Sequence, residues 1–312
     1  MEIPEYFKDK IVQYFGSKGE EWLKELPDIL DRCREKWSLT DIVVAEDLSF
    51  NFVCFAQAAR YGEVVLKVAI SSAELYTEMK ALSLYNGHNI CKHYDFDSKL
   101  AAMLLERVVP GKNLTSLEDN KEQLMVAADL ISNFPIGIDN NELFPTYQDW
   151  LGRAFDRARK EKIVGAKLLS LMDIAEEIFD DINQQSASQV LLHGDLHHWN
   201  ILQDREGDWK AIDPKGVMGV ACMESARFID NHLNVVSARE DIDSLNLCNY
   251  LDEMVSVFAS KFDKSKIIIA NCLFVLCVLS TCWRFEEANP KEDQLKESID
   301  KCEFILKYIK NL

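Results

Sequence analysis

Glycine and proline are scarce in this chain, 12 and 7 in 312 residues, which excludes collagen-like and Pro/Gly-rich disordered architectures. Paired C-x-x-C spacing is missing too. Nine cysteines are scattered singly, so zinc-ribbon and dithiol redox chemistry has no sequence support, and the cysteines are expected to be reduced, small core residues. Positive charge is short: 35 Lys and Arg against 52 Asp and Glu leave a net charge of -17, which opposes a nucleic-acid partner and favours cationic small molecules. No internal repeat is apparent. The opening residues MEIPEYFKDKIVQYF have no apolar signal-peptide core, so a cytoplasmic protein is expected. Only one long apolar run occurs, from Ile267 to Trp283. As a helix it would measure about 25 Å, short of a hydrocarbon layer of about 30 Å. Asn271, Ser280 and Thr281 interrupt it, and Arg284, Glu286 and Glu287 follow it. It therefore reads as a buried helix, with no stable membrane association.

What is present suits a two-lobed globular protein. A chain of this length tends to split its core, and a change in patterning places the division at residues 1–108 and 109–312. Residues 3–37 have helical spacing, with Pro27 predicted to begin a second helix. Residues 41–70 carry β-branched and aromatic runs that suggest two or three antiparallel strands. Residues 72–86 return to helical spacing, and two more strands joined through Asp97-Ser98 follow. Val109-Pro110-Gly111 marks the departure from this small sheet lobe. Beyond it, residues 118–133, 147–183, 222–238 and 246–310 are predicted helical. A strand-like interlude, VLLHGDLHHWNILQDREGDWKAIDPKG, interrupts them at 190–216.

That interlude concentrates the chemistry. Asp195 follows a short apolar run, Asn200 lies five residues later, and Asp213 ends another apolar triplet that a hairpin could return beside them. Two carboxylates and a carboxamide suit a hard cation such as Mg²⁺. Phosphoryl transfer requires positioning and charge compensation of this kind. Asp195 could then orient a hydroxyl and take its proton, with Asn200 and Asp213 holding the metal. Lys67, in the strand-like VVLKV, could pair with nucleotide phosphates, steered by a helix carboxylate: Glu78, or Glu74 one turn earlier. His193 reads as a structural brace of the loop. His197 and His198 read as loop packing or acceptor contacts, and Trp199 as a packed neighbour of Asn200. Lys215 could contact phosphate or brace its loop. The acidic group Asp173, Glu176, Glu177, Asp180 and Asp181 reads as a solvated helix face.

Together, Lys67, Glu78, HGDLHHWNIL at 193–202 and IDPKG at 212–216 resemble the kinase-like phosphotransferases, particularly the streptomycin/hydroxyurea branch of the aminoglycoside phosphotransferase family. The resemblance implies an α+β, bilobal protein-kinase-like fold, with a small antiparallel-sheet N-lobe containing one key helix and a mostly helical C-lobe. It implies ATP and Mg²⁺ as cofactors and a small-molecule hydroxyl acceptor, an aminoglycoside or related cationic amino sugar, in an antibiotic-resistance or metabolic role. By the same resemblance Asp195 is catalytic, Asn200 and Asp213 bind magnesium, and in the nucleotide site Lys67 binds phosphate with Glu78 as its helix partner. The stretch from Leu104 through Glu106 to Val108 would form the connector whose backbone meets adenine. Gly194 stands where protein kinases carry arginine. The nucleotide loop, residues 46–52, contains no glycine. Val220 replaces the first of two acidic residues usual after the magnesium aspartate, while Glu224 keeps the second. A protein kinase-like enzyme acting on protein hydroxyls and a non-catalytic nucleotide-binding module are the alternatives.

Overall fold

The computed structural model describes residues 2–139, 143–160, 165–186, 188–239, 244–286 and 292–312. The stretches 161–164 and 287–291, expected to be helical or, at Glu287, to flank the apolar run, lie outside the described residues. The chain divides into two compact units, Met1–Gly111 with Asp204–Asp208, and Lys112–Gln203 with Trp209–Leu312.

The first unit begins with α1 (Glu5–Phe15) and α2 (Ser17–Trp37). Pro27 does not begin a helix as predicted; it lies inside α2. The apolar face continues through it, with Trp22, Leu26, Leu30, Cys33 and Trp37 all buried, and this burial outweighs one lost backbone hydrogen bond. Gly19 lets the two helices approach, since a Cβ there would lie 2.6 Å from the Ile11 carbonyl oxygen. Five antiparallel strands follow: β1 (Leu39–Val44), β2 (Phe52–Ala58), β3 (Gly62–Val68), β4 (His93–Asp97) and β5 (Ala102–Glu106). Their order is β1-β2-β3-β5-β4. Phe52, Cys54, Ala56 and Ala58 alternate inward on β2, and they share a core with α1 and α2. The helix α3 (Ala73–Tyr85) sits between β3 and β4 in sequence. Ser72 caps it by accepting the Leu75 N–H at 3.2 Å, and Asn86 ends it in a left-handed conformation.

The second unit is built on α4 (Asn120–Ser132), α5 (Tyr147–Lys160), α6 (Ala166–Gln184), α7 (Glu224–Arg239), α8 (Ser244–Phe262), α9 (Lys266–Trp283) and α10 (Glu292–Ile309). The apolar run forms α9, which packs against α5, α6, α7, α8 and α10. It is long and apolar enough to cross a membrane, yet two-thirds of it is buried inside the molecule. Thr146 and Asp149 exchange backbone and side-chain hydrogen bonds at the start of α5, a reciprocal cap. Two small hairpin-like ladders carry the interlude: β6 (Val190–Leu192) pairs with β9 (Val217–Gly219), and β7 (Ile201–Gln203) pairs with β8 (Trp209–Ala211). All nine cysteines are free thiols, eight buried and Cys248 partly so.

Candidate active site

In the first unit, β3 places Lys67 opposite Val53 on one side and Met103 on the other. Its ammonium donates to Glu78 Oε1 of α3 at 2.6 Å. Both groups are sealed, with residue exposures of 3% and 9%. Glu74, one turn earlier, is exposed. Three residues beyond Met103 on β5, Glu106 donates its N–H to Lys92 O at 2.8 Å, and its carboxylate accepts the Lys92 N–H at 2.9 Å. Val108 is buried just past the strand end.

In the second unit, the residues between β6 and β7 form a loop stitched to the segment between β8 and β9. His193 O accepts the N–H groups of Lys215 and Gly216 at 2.8 and 3.2 Å, and Asn200 O accepts the Ile212 N–H at 2.9 Å. The His193 ring closes the seam, Nε2 lying 2.8 Å from Ile212 O while Nδ1 accepts the Asp195 N–H at 3.2 Å. Asp213 therefore emerges beside the Asp195–Asn200 loop. It is exposed, and its φ of 59° is a left-handed conformation that costs a non-glycine residue about 1–2 kcal/mol. The hydrogen bonds on either side hold it there. Gly194 has a φ of 80°, and a Cβ would lie 2.8 Å from Val217 and 2.9 Å from Trp150. An arginine at that position would not fit, which explains the H-G-D pattern in place of H-R-D.

Helix α7 grips the loop twice. Glu224, at its first turn, is fully buried and accepts the N–H groups of His193 at 2.6 Å and Gly194 at 3.1 Å. Three residues on, Arg227 Nε lies 3.0 Å from Asp195 Oδ1 as an ion pair, although its N–H is not aligned for a hydrogen bond. The guanidinium also lies over the Trp283 ring, 5.6 Å from its centroid. His197 Nε2 is 3.9 Å from the same Asp195 oxygen. Asn200 Nδ2 donates to Asp195 O at 3.0 Å, which turns the carboxamide oxygen the other way.

Burial sets the protonation of this loop. It pushes the Glu224 carboxyl up to about 7, against two backbone N–H groups that favour the charged form. It pushes His193 down to about 4, so the ring is neutral and can both accept and donate. His197 is also lowered by burial, against the pull of Asp195.

The structure thus brings Lys67 to Glu78 in one unit, and Asp195, Asn200 and the Asp213 segment together in the other. Trp199 is 50% exposed, not packed as expected; its ring meets His197 and His198 edge-on. His198 instead turns inward, its Nε2 2.8 Å from His232 Nδ1 and its ring stacked on Phe228. On the acidic face, Asp173 and Glu176 pair with Arg159. Sequence reasoning missed Arg227 entirely and gave Glu224 no structural task; their i, i+3 spacing on a helix was the available signal.

Asn200 and Asp213 offer a carboxamide and a carboxylate oxygen, a donor chemistry that fits Mg²⁺. Among the described residues no group of three or more His, Cys, Asp or Glu gathers as a metal site.

Comparison with known proteins supplies the family. The model for aminoglycoside/hydroxyurea antibiotic resistance kinases matches residues 36–287. Streptomycin 6-kinase of Streptomyces glaucescens is 24% identical over 249 residues, 78% of this chain and 79% of that one. Hydroxyurea phosphotransferase of Kitasatospora aureofaciens is 26% identical over 231 residues, 70% of this chain and 65% of that one. Among solved structures, choline kinase from Streptococcus pneumoniae superimposes with a TM-score of 0.62 at 12% identity, covering 91% of this chain and all of that one. The fold is therefore the bilobal α+β kinase-like one, with an antiparallel N-lobe sheet and a helical C-lobe. The chain belongs to the aminoglycoside/hydroxyurea antibiotic resistance kinase family, and with that to the kinase-like enzymes.

Proposed function

We propose that this chain transfers the γ-phosphoryl group of Mg²⁺-ATP to a hydroxyl of a small polar molecule. The observation that carries the reading is the Asp195 carboxylate, partly open to solvent, held by α7 and the 212–216 segment in one loop with Asn200 and beside Asp213. In the reaction the acceptor oxygen bonds to the γ-phosphorus, the bond to the β,γ-bridging oxygen breaks, and ADP leaves. Asp195 receives the hydroxyl proton. Lys67, fixed by Glu78, pairs with the α- and β-phosphates. Asn200 and Asp213 hold Mg²⁺, which neutralises phosphate charge when bound. The backbone from Glu106 to Val108 meets the adenine edge.

The acceptor is an amino sugar or similar compound in this reading, and the aminoglycoside kinase family and its streptomycin 6-kinase relative support that class. A net charge of -17 draws cations at long range. Nine free thiols agree with a reducing, cytoplasmic setting.

The test is a purified-protein screen with Mg²⁺-ATP and direct mass detection of phosphorylated products. The panel holds streptomycin, hydroxyurea, other aminoglycosides, choline, nucleosides and simple sugars, with water as the control. Transfer to at least one small hydroxyl compound is expected. Phosphorylation of added protein alone would move the assignment to a protein kinase. Tight nucleotide binding with no transfer to anything would make the chain a non-catalytic module.

A further inference from the structure

The family match begins at residue 36, so α1 and nearly all of α2 lie outside it. Yet α1 is the element that holds the connection between β1 and β2, residues 45–51. Tyr6 Oη donates to the Glu46 carbonyl at 2.6 Å and accepts the Leu48 N–H at 3.2 Å. Lys10 Nζ donates to the Leu48 carbonyl at 2.9 Å. The Tyr14 ring lies against Phe50, with centroids 4.5 Å apart. Tyr6, Lys10 and Tyr14 recur every four residues, so they form one stripe along the helix. The adjacent stripe, Phe7 and Ile11, is fully buried, and Phe7 packs on both Trp22 and Phe52. Helix α1 therefore has two working faces, one anchored in the core and one fastened to the loop.

We propose that α1 is a brace for the nucleotide loop, with Tyr6 and Lys10 as positioning residues for ATP; this rests on the phosphotransferase reading above. A glycine-rich loop wraps phosphates because its backbone is free to rearrange, and ordering it costs conformational entropy on every binding event. The loop here, Ala45 to Asn51, has no glycine. Its backbone groups at Glu46 and Leu48 are already engaged by α1, and Leu48 is buried. The tip, Ser49 to Asn51, with Ser49 and Phe50 exposed, lies beyond these hydrogen bonds and can meet phosphate. The loop is ordered before the nucleotide arrives, and affinity that a glycine-rich loop draws from flexible wrapping is drawn here from preorganisation. Phosphate grip in this protein thus depends on a segment with no counterpart in the family match.

The test uses the full chain with Tyr6→Phe, which removes one hydroxyl and keeps the ring, and Lys10→Met as an independent second variant. Amide exchange across residues 45–51 and calorimetric Mg²⁺-ATP affinity are measured together. In Tyr6→Phe the Leu48 amide should exchange about tenfold faster, and the Kd for Mg²⁺-ATP should rise roughly five- to tenfold, as expected for two lost hydrogen bonds. Lys10→Met should weaken binding in the same direction by a smaller factor, and it carries the test if Tyr6→Phe does not fold. In turnover assays KM for ATP should rise more than kcat falls. Faster exchange with a Kd within twofold of wild type would overturn the proposal and leave α1 a purely structural staple. A wild-type protein that binds no Mg²⁺-ATP would instead overturn the phosphotransferase reading, and this inference with it.

Discussion

Two ion pairs, Lys67 with Glu78 and Arg227 with Asp195, have similar lengths, 2.6 and 3.0 Å, but different surroundings. The first is shut away from water, with side-chain exposures of 4% and 11%; the second keeps 19% and 23%. A buried pair cannot exchange its partner for solvent without a large desolvation cost, so Lys67 has one fixed position. An accessible pair is cheaper to rearrange, so Asp195 can share its carboxylate between Arg227 and an incoming hydroxyl. One region is suited to holding, the other to exchange.

Breaking the sealed pair should produce the largest effect. Lys67→Met strands the Glu78 carboxylate and should lower unfolding free energy by about 3–5 kcal/mol in chemical denaturation, alongside lost ATP affinity. Adding Glu78→Leu should recover most of the stability but none of the affinity. Recovery of both would show that Lys67 serves the fold alone.

Next in size is a pH effect in the support beneath the exposed pair. His193, pushed down to about 4 from the usual 6.5, takes a proton more readily when unfolded, so it lowers stability as pH falls below 6.5. Glu224, raised to about 7 from the usual 4.5, binds its proton more tightly when folded, so it lowers stability as pH rises from 4.5 to 7. Between 4.5 and 6.5 the two slopes oppose each other. Glu224→Gln removes the second, and its stability relative to wild type should climb with pH across that window by up to about 1.4 kcal/mol per unit. Denaturation midpoints at pH 4.5, 5.5 and 6.5 measure this; a constant difference would mean that folding leaves the affinity of Glu224 for its proton unchanged.

The smallest expected effect belongs to the open pair itself. Arg227→Gln should change unfolding free energy by less than about 1 kcal/mol. A loss as large as that of Lys67→Met would erase the distinction between the two regions.

Much of this arrangement was legible in the sequence where the signal was local. VVLKV followed by a helix-spaced carboxylate gave Lys67 and Glu78, and the short spacing from Asp195 to Asn200 marked the loop. Runs of strand-like and then helical patterning placed a division between residues 108 and 109, but no pattern signalled that 204–208 belong with the first unit. What escaped depended on contacts remote in sequence. Pro27 sits inside α2 because the buried face from Trp22 to Trp37 outweighs local propensity. Trp199 is exposed because its neighbour His198 takes the interior position against Phe228 and His232. Arg227 and Glu224 reach back some thirty residues to the loop, and Tyr6 and Lys10 reach forward about forty. No periodicity reports which distant backbone group a side chain will meet.

The central claim is that the open carboxylate of Asp195 does chemistry that nucleotide binding does not need. Asp195→Asn, assayed with the acceptor found in the screen and by calorimetry with Mg²⁺-ATP, tests it most directly. Turnover should fall by about 10³-fold while the nucleotide Kd stays within about threefold of wild type. Turnover equal to wild type, or a loss of ATP binding that accounts for all the lost activity, would contradict it.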